Sequence, residues 1–196
     1  MRITASNSGV AGHGRASGRG GFTLIEIIVV VIIIAIIAAT AVGVSSNSAW
    51  TRVTEAGRRL LSDLSYAQNV AVTQQRTVYA IFDTTNQRYT VAYTQTPSAA
   101  ADYVRDPSTG GNFVVQFGNS GTTGLAGVSL RPLGLGSGNK VLAFDVLGQP
   151  LVGNGTASPV LSTQSVTITV GNSLVSSSTM TVSVAPFTGT TTCTSP

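Results

Sequence analysis

Apolar and polar positions obey three different rules along this chain. Residues 1–21 are polar, basic and rich in Gly and Ser, without apolar periodicity. From 22 to 44 the sequence offers 23 residues with Glu26 as the only charge. A helix of that length extends roughly 33 Å, enough to cross a ~30 Å hydrocarbon core. Residues 43–48 (Gly-Val-Ser-Ser-Asn-Ser) then form a weak point for helix continuity. Beyond it, Val53, Gly57, Leu60, Leu61, Leu64, Ala67 and Ala71 recur at spacings of three and four. Arg52, Glu55, Arg58, Arg59 and Asp63 fall mainly elsewhere, so the pattern predicts an amphipathic helix laid on a folded domain.

After Gln75 the period changes to two. Residues 77–83 and 88–94 alternate around a Thr-Thr-Asn-Gln turn and predict a β-hairpin. Residues 113–117, 141–145, 166–170 and 180–185 are further strand candidates, each bounded by Gly, Pro, Asn or Ser. Residues 95–112, with Pro97, Pro107 and Gly110-Gly111, read as a loop. The expected fold class is α+β: a long N-terminal helix, then a β-rich head. The expected divisions are 1–21, 22–44, 45–75 and 76–196.

Charge changes this picture only by its location. Of eleven Lys/Arg, three (Arg2, Arg15 and Arg19) precede residue 22, leaving eight against seven Asp/Glu. The basic balance therefore belongs to the leader and points to a cytoplasmic N-terminus rather than a nucleic-acid partner. The one histidine, His13, also lies there, which removes His-based triads and most zinc sites from the rest. Cys193 is alone, so it is a free thiol or an intermolecular partner, and its Thr-rich surroundings read as an inert tail.

The remaining candidate chemistry is carboxylate chemistry. Asp83, Asp102, Asp106 and Asp145 could supply a catalytic pair or calcium ligands, but aspartates at such positions more often serve turns. The glycine runs, including 134–138, are not followed by the Gly-Lys-Ser/Thr of a phosphate loop. No catalytic, cofactor or metal site is expected. Glu26 is different, because an acid within an apolar membrane segment costs up to about 2.5–3.5 kcal/mol and tends to be functional.

Gly21-Phe22-Thr23-Leu24-Ile25-Glu26 and the apolar run behind it resemble the processing motif of type IV prepilins and type II secretion pseudopilins. The resemblance implies cutting between Gly21 and Phe22 by a prepilin peptidase, which also methylates the new Phe22 amine. It also implies that Glu26 pairs with the N-terminal ammonium of a neighbouring subunit. Three further stretches resemble GspH/FimT-type minor pseudopilins: 59–68 with Gln74-Gln75-Arg76, then 142–150 (Leu-Ala-Phe-Asp-Val-Leu-Gly-Gln-Pro), and 182–189 (Val-Ser-Val-Ala-Pro-Phe-Thr-Gly). Residues 95–138 carry little of that likeness and are the expected place for partner specificity, since binding residues favour loops.

The resemblance implies a pilin-like subunit spanning the inner membrane once, with its head in the periplasm. Other pilins or pseudopilins are its expected partners, with an exported protein as a further candidate. The alternatives are a DNA-binding minor pilin or a membrane-anchored protein of other function. Against the first, no positive charge follows Gly189, and Arg76, Arg88, Arg105, Arg131 and Lys140 are scattered. Conventional signal cleavage after Ala39-Thr40-Ala41, or no cleavage at all, are the competing readings of the N-terminus.

Overall fold

A computed structural model describes residues 23–118, 125–136, 138, 140–172 and 178–195, without the side chains of 39–48 and 132. The leader, Gly21 and Phe22 lie outside the described residues. The chain forms two compact units, 1–41 and 42–196, of which the second is the head.

Helix α1 runs Leu24–Gln74. It continues through residues 43–48, the weak point of the sequence. Gly and Ser each cost a helix about 1 kcal/mol or less, which hydrogen-bonded turns on either side can offset. In the head, Val53, Ala56, Leu60, Leu64, Ala67 and Ala71 are fully buried, so the predicted stripe is the core face. The helix ends without glycine. Gln75 takes the left-handed conformation (φ 51°), and the Arg76 amide donates back to the Ala71 carbonyl at 3.2 Å. That is the six-to-one bond of a Schellman turn.

Ten strands follow among the described residues: β1 (Val78–Asp83), β2 (Arg88–Ala92), β3 (Val114–Gln116), β4 (Val128–Gly134), β5 (Val141–Phe144), β6 (Pro150–Gly153), β7 (Val160–Leu161), β8 (Val166–Asn172), β9 (Thr179–Val184) and β10 (Thr191–Thr194). They build two antiparallel sheets, ordered β3-β2-β1-β5-β6-β7 and β10-β9-β8-β4. Alternation decides which side of each strand faces the core. Val78, Ala80 and Phe82 point inward from β1, and Met180, Val182 and Val184 from β9.

Helix α1 touches both sheets. Tyr89 of β2 donates its hydroxyl to Asp63, Tyr66 stacks at 5.9 Å on Phe113 just before β3, and a Cβ at Gly57 would sit 2.6 Å from the Met180 sulfur. Glycine is thus what lets β9 approach the helix closely.

Three expectations need correction. Residues 95–112 are a loop only in part. Ala100–Asp102 form a 3-10 turn, and Val104 is buried, exchanging backbone bonds with Val91 and Phe113. Strand β4 was hidden by Pro132 and by a register shift between Leu130 and Leu133, both tolerable because β4 is an edge strand. Cys193 is not in a loose tail: it pairs with Val182 across β10 and β9 and packs against the core.

Candidate assembly segment and head junction

Of the predicted N-terminal site residues, only Glu26 is described. Thr23 precedes the first helical residue, and its hydroxyl accepts the Glu26 amide at 3.3 Å. A Thr at the N-cap with Glu three residues on is the capping-box spacing. The carboxylate also lies in the first turn, where the helix dipole favours negative charge. The same Thr-x-x-Glu thus starts the helix and places an acid at the mouth of an apolar rod.

That rod is uncovered. From Leu24 to Ile37, twelve large apolar side chains are exposed, Leu24 by 77% and Ile37 by 62%. Exposure runs around every face of the helix, so no single stripe is reserved for the chain's own core. The described side chains of this apolar run stop at residue 38. Among the described residues, no helix is long and apolar enough to cross a membrane.

The head brings together three stretches that are distant in sequence. Gln68 on α1 donates from Nε2 to the Gly148 carbonyl and to the Thr188 carbonyl, each at 2.9 Å. One side chain therefore joins the helix to the 145–149 turn and to the 186–189 turn. Gly148 and Gly189 both hold positive φ (79° and 67°), the conformation that favours glycine. A Cβ on Gly189 would collide with the Gly148 carbonyl oxygen and with Gln68. These are the three stretches on which the sequence resemblance rested, and the head closes where they meet.

A second tie is buried. The Tyr89 hydroxyl donates to Asp63 Oδ2, and Arg59 Nε lies 3.6 Å from the same oxygen. Tyr89 is fully buried, between Phe82 at 6.0 Å and Phe117 at 5.6 Å. Sequence reasoning placed Asp63 among solvated charges; only the folded register shows Tyr89 reaching it. Burial pushes the Asp63 carboxyl above its ordinary range, against the opposing pull of the Tyr89 hydroxyl and Arg59. Burial and the Asp63 charge likewise hold the Tyr89 hydroxyl in its protonated, donating form.

Because Asp63 binds its proton more tightly folded than unfolded, its contribution to stability is greatest below the ordinary carboxylate pKa. That contribution is lost as pH rises through the elevated folded value. Asp63→Asn keeps an acceptor for Tyr89 and removes the titration. Chemical denaturation across the mildly acidic range should therefore show wild type losing stability relative to D63N as pH rises. Parallel curves would refute the assignment.

The four candidate aspartates are all turn acceptors. Asp83 accepts the Thr85 and Asn86 amides at 3.1 and 2.9 Å, and Asp145 the Leu147 and Gln149 amides at 2.9 and 2.8 Å. Asp102 accepts the Ser98 and Ala99 amides, each at 2.9 Å. Asp106, itself buried, takes the Ser108 amide and hydroxyl and the Thr109 hydroxyl. Among the described residues no group of three His, Cys, Asp or Glu could hold a metal ion.

Three cations of the head are also engaged locally. Arg76 lies 3.9 Å over the Tyr93 ring, Arg88 is 3.3 Å from Asp83, and Arg131 donates to the Asn172 carbonyl. The DNA-binding alternative is not favoured.

Residues 16–42 match the prokaryotic N-terminal methylation motif. The fold is similar to that of the minor pseudopilin EpsH from the type 2 secretion system of Vibrio cholerae, with 13% identity and a TM-score of 0.51. That alignment covers 74% of this chain and 98% of the other, and at this identity the likeness is one of fold. The type IV minor pilin FimU of Pseudomonas aeruginosa also aligns, with 12% identity and a TM-score of 0.40, over 74% of this chain and 89% of that one. No curated protein is significantly similar in sequence. A methylation motif followed by a pilin-like fold is the combination expected from the resemblance to GspH/FimT-type minor pseudopilins.

Proposed function

We propose that this chain is a minor pseudopilin or minor pilin, a structural subunit that enters a type II secretion pseudopilus or a type IV pilus through its N-terminal helix. The observation that carries the reading is the methylation motif over an apolar helix exposed on every face, with one acid in its first turn. Burying twelve such side chains is worth on the order of 20–30 kcal/mol, so the segment calls for lipid or other apolar helices. Its Ile and Val are mediocre helix formers in water, but in a bilayer only helices and closed barrels satisfy the backbone.

In this reading the peptidase cuts between Gly21 and Phe22 on the cytoplasmic side and methylates Phe22. The apolar segment 22–44 then holds the protein in the inner membrane with its head in the periplasm. Glu26 pairs with the N-terminal ammonium of the adjoining subunit as the helices bundle, which sets axial register. The chain itself catalyses no reaction; an external motor supplies the work of assembly. Exported proteins are candidate partners for the head, through residues 95–138.

Intact-mass and N-terminal peptide analysis of protein from membranes of its own host tests the proposal. A chain beginning at N-methylated Phe22 is the expected result. A chain beginning at Val42 would mean ordinary secretion and end the pilin reading. Retention of the leader in cells with an active prepilin peptidase would leave only a plain anchor.

A further inference from the structure

Asn154 is followed by Gly155, and no other asparagine in the 196-residue sequence precedes a glycine. The pair lies between β6 and β7, with Asn154 exposed. Three donors converge on Asn154 Oδ1: the Thr156 amide at 3.0 Å, the Ala157 amide at 3.1 Å and the Thr156 hydroxyl at 2.9 Å. Gly155 has φ 89° and brings no side chain to shield its own nitrogen or the neighbouring Cγ.

We infer that Asn154-Gly155 is a self-modifying site, at which the folded protein converts the Asn154 amide to an acid. The Gly155 backbone nitrogen attacks Asn154 Cγ, forming an N–C bond and giving its proton to water or hydroxide. Negative charge develops on Oδ1, the atom on which the three donors converge, so the turn acts as a small oxyanion hole. The Cγ–Nδ2 bond then breaks and ammonia leaves with a proton from solvent. Water opens the resulting five-membered imide at either carbonyl, giving aspartate or isoaspartate. One water enters and one ammonia departs; no oxidant, metal or enzyme is needed.

The two products differ in what they do to the head. An aspartate keeps the turn, because its carboxylate accepts the same three donors, more strongly as an anion. An isoaspartate adds a methylene to the main chain between Gly153 and β7. The loop it lengthens sets the Val152–Val160 register, which lies at the edge of its sheet. Either product gives that loop a negative charge where it had none.

The experiment is peptide mapping by mass spectrometry of the detergent-solubilised full chain, aged in mildly alkaline buffer and sampled over time. Wild type, Asn154→Gln and Thr156→Val are compared, each folded and in urea. Folded wild type should gain the acid at Asn154 faster than at any other asparagine, and N154Q should gain none there. T156V loses one donor and should convert roughly five- to tenfold more slowly when folded, with no difference in urea. Conversion in urea but not in the folded protein would overturn the inference, because the turn would then protect the amide. Equal folded rates for T156V and wild type, or a sugar-sized mass on Asn154, would also overturn it.

Discussion

Glu26→Leu is expected to abolish entry into the filament while leaving leader removal and head stability unchanged. The substitution makes the helix more apolar, so membrane insertion should not suffer. In the proposed assembly, what disappears is the partner for a neighbouring ammonium in a low-dielectric bundle. Leaving one charge of a buried pair uncompensated costs about 3–5 kcal/mol, a loss of roughly 10²–10⁴-fold in incorporation. Glu26→Gln should behave similarly, since an amide offers an acceptor without the charge. The readout is the amount of subunit in sheared filaments, or the exported protein in the medium, against the subunit retained in membranes. Normal incorporation of either variant would remove Glu26 from the assembly mechanism. Because the acid sits in the first turn beside Thr23, circular dichroism should accompany the assay to show that α1 still forms.

Gly189→Ala is expected to be strongly destabilising to the head. Its left-handed backbone costs any L-residue about 1–2 kcal/mol. The new Cβ would also meet the Gly148 carbonyl oxygen, a backbone atom that cannot swing away, and the end of Gln68. Overpacking of this kind typically adds 1–3 kcal/mol. Together they amount to about 2–5 kcal/mol, or roughly 5–15 °C in Tm for a domain of this size. Gly110→Ala isolates the backbone part, because Gly110 has φ 70° but nothing within 4 Å of the added methyl. Thermal unfolding should therefore place G110A slightly below wild type and G189A far below it. Equal shifts would mean that the Gln68 junction contributes nothing beyond backbone strain.

Legibility from sequence followed the range of the interactions. The amphipathic stripe from Val53 to Ala71, the 83–88 hairpin and the alternating strands β8 and β9 were readable because they repeat at periods of 3.6 or 2. Such periods are local consequences of backbone geometry. Strand β4 broke its own alternation with a proline and a shifted register, and β10 offered only threonines and Cys193. Only partner strands assign these two.

The N-terminal motif was legible for another reason: a lone carboxylate in an apolar run stands out by chemistry alone. Its motif therefore needed no tertiary information. The turn roles of Asp83, Asp102, Asp106 and Asp145 were open in the sequence, where the same residues could have been ligands or catalytic acids. Amide donors two to four residues away settled them, and those depend on the local backbone path.

Sequence by itself determined the apolar N-terminal segment, its acid, the methylation motif they belong to, and the period of each main element. These are one-dimensional properties: length, charge and repeat. Tertiary structure alone decided that Gln68 reaches Gly148 and Thr188, that Tyr89 finds Asp63, and that Gly57 admits Met180. Each joins residues that are tens of positions or more apart. A local pattern fixes which way a side chain faces, but only the closed fold fixes what it meets.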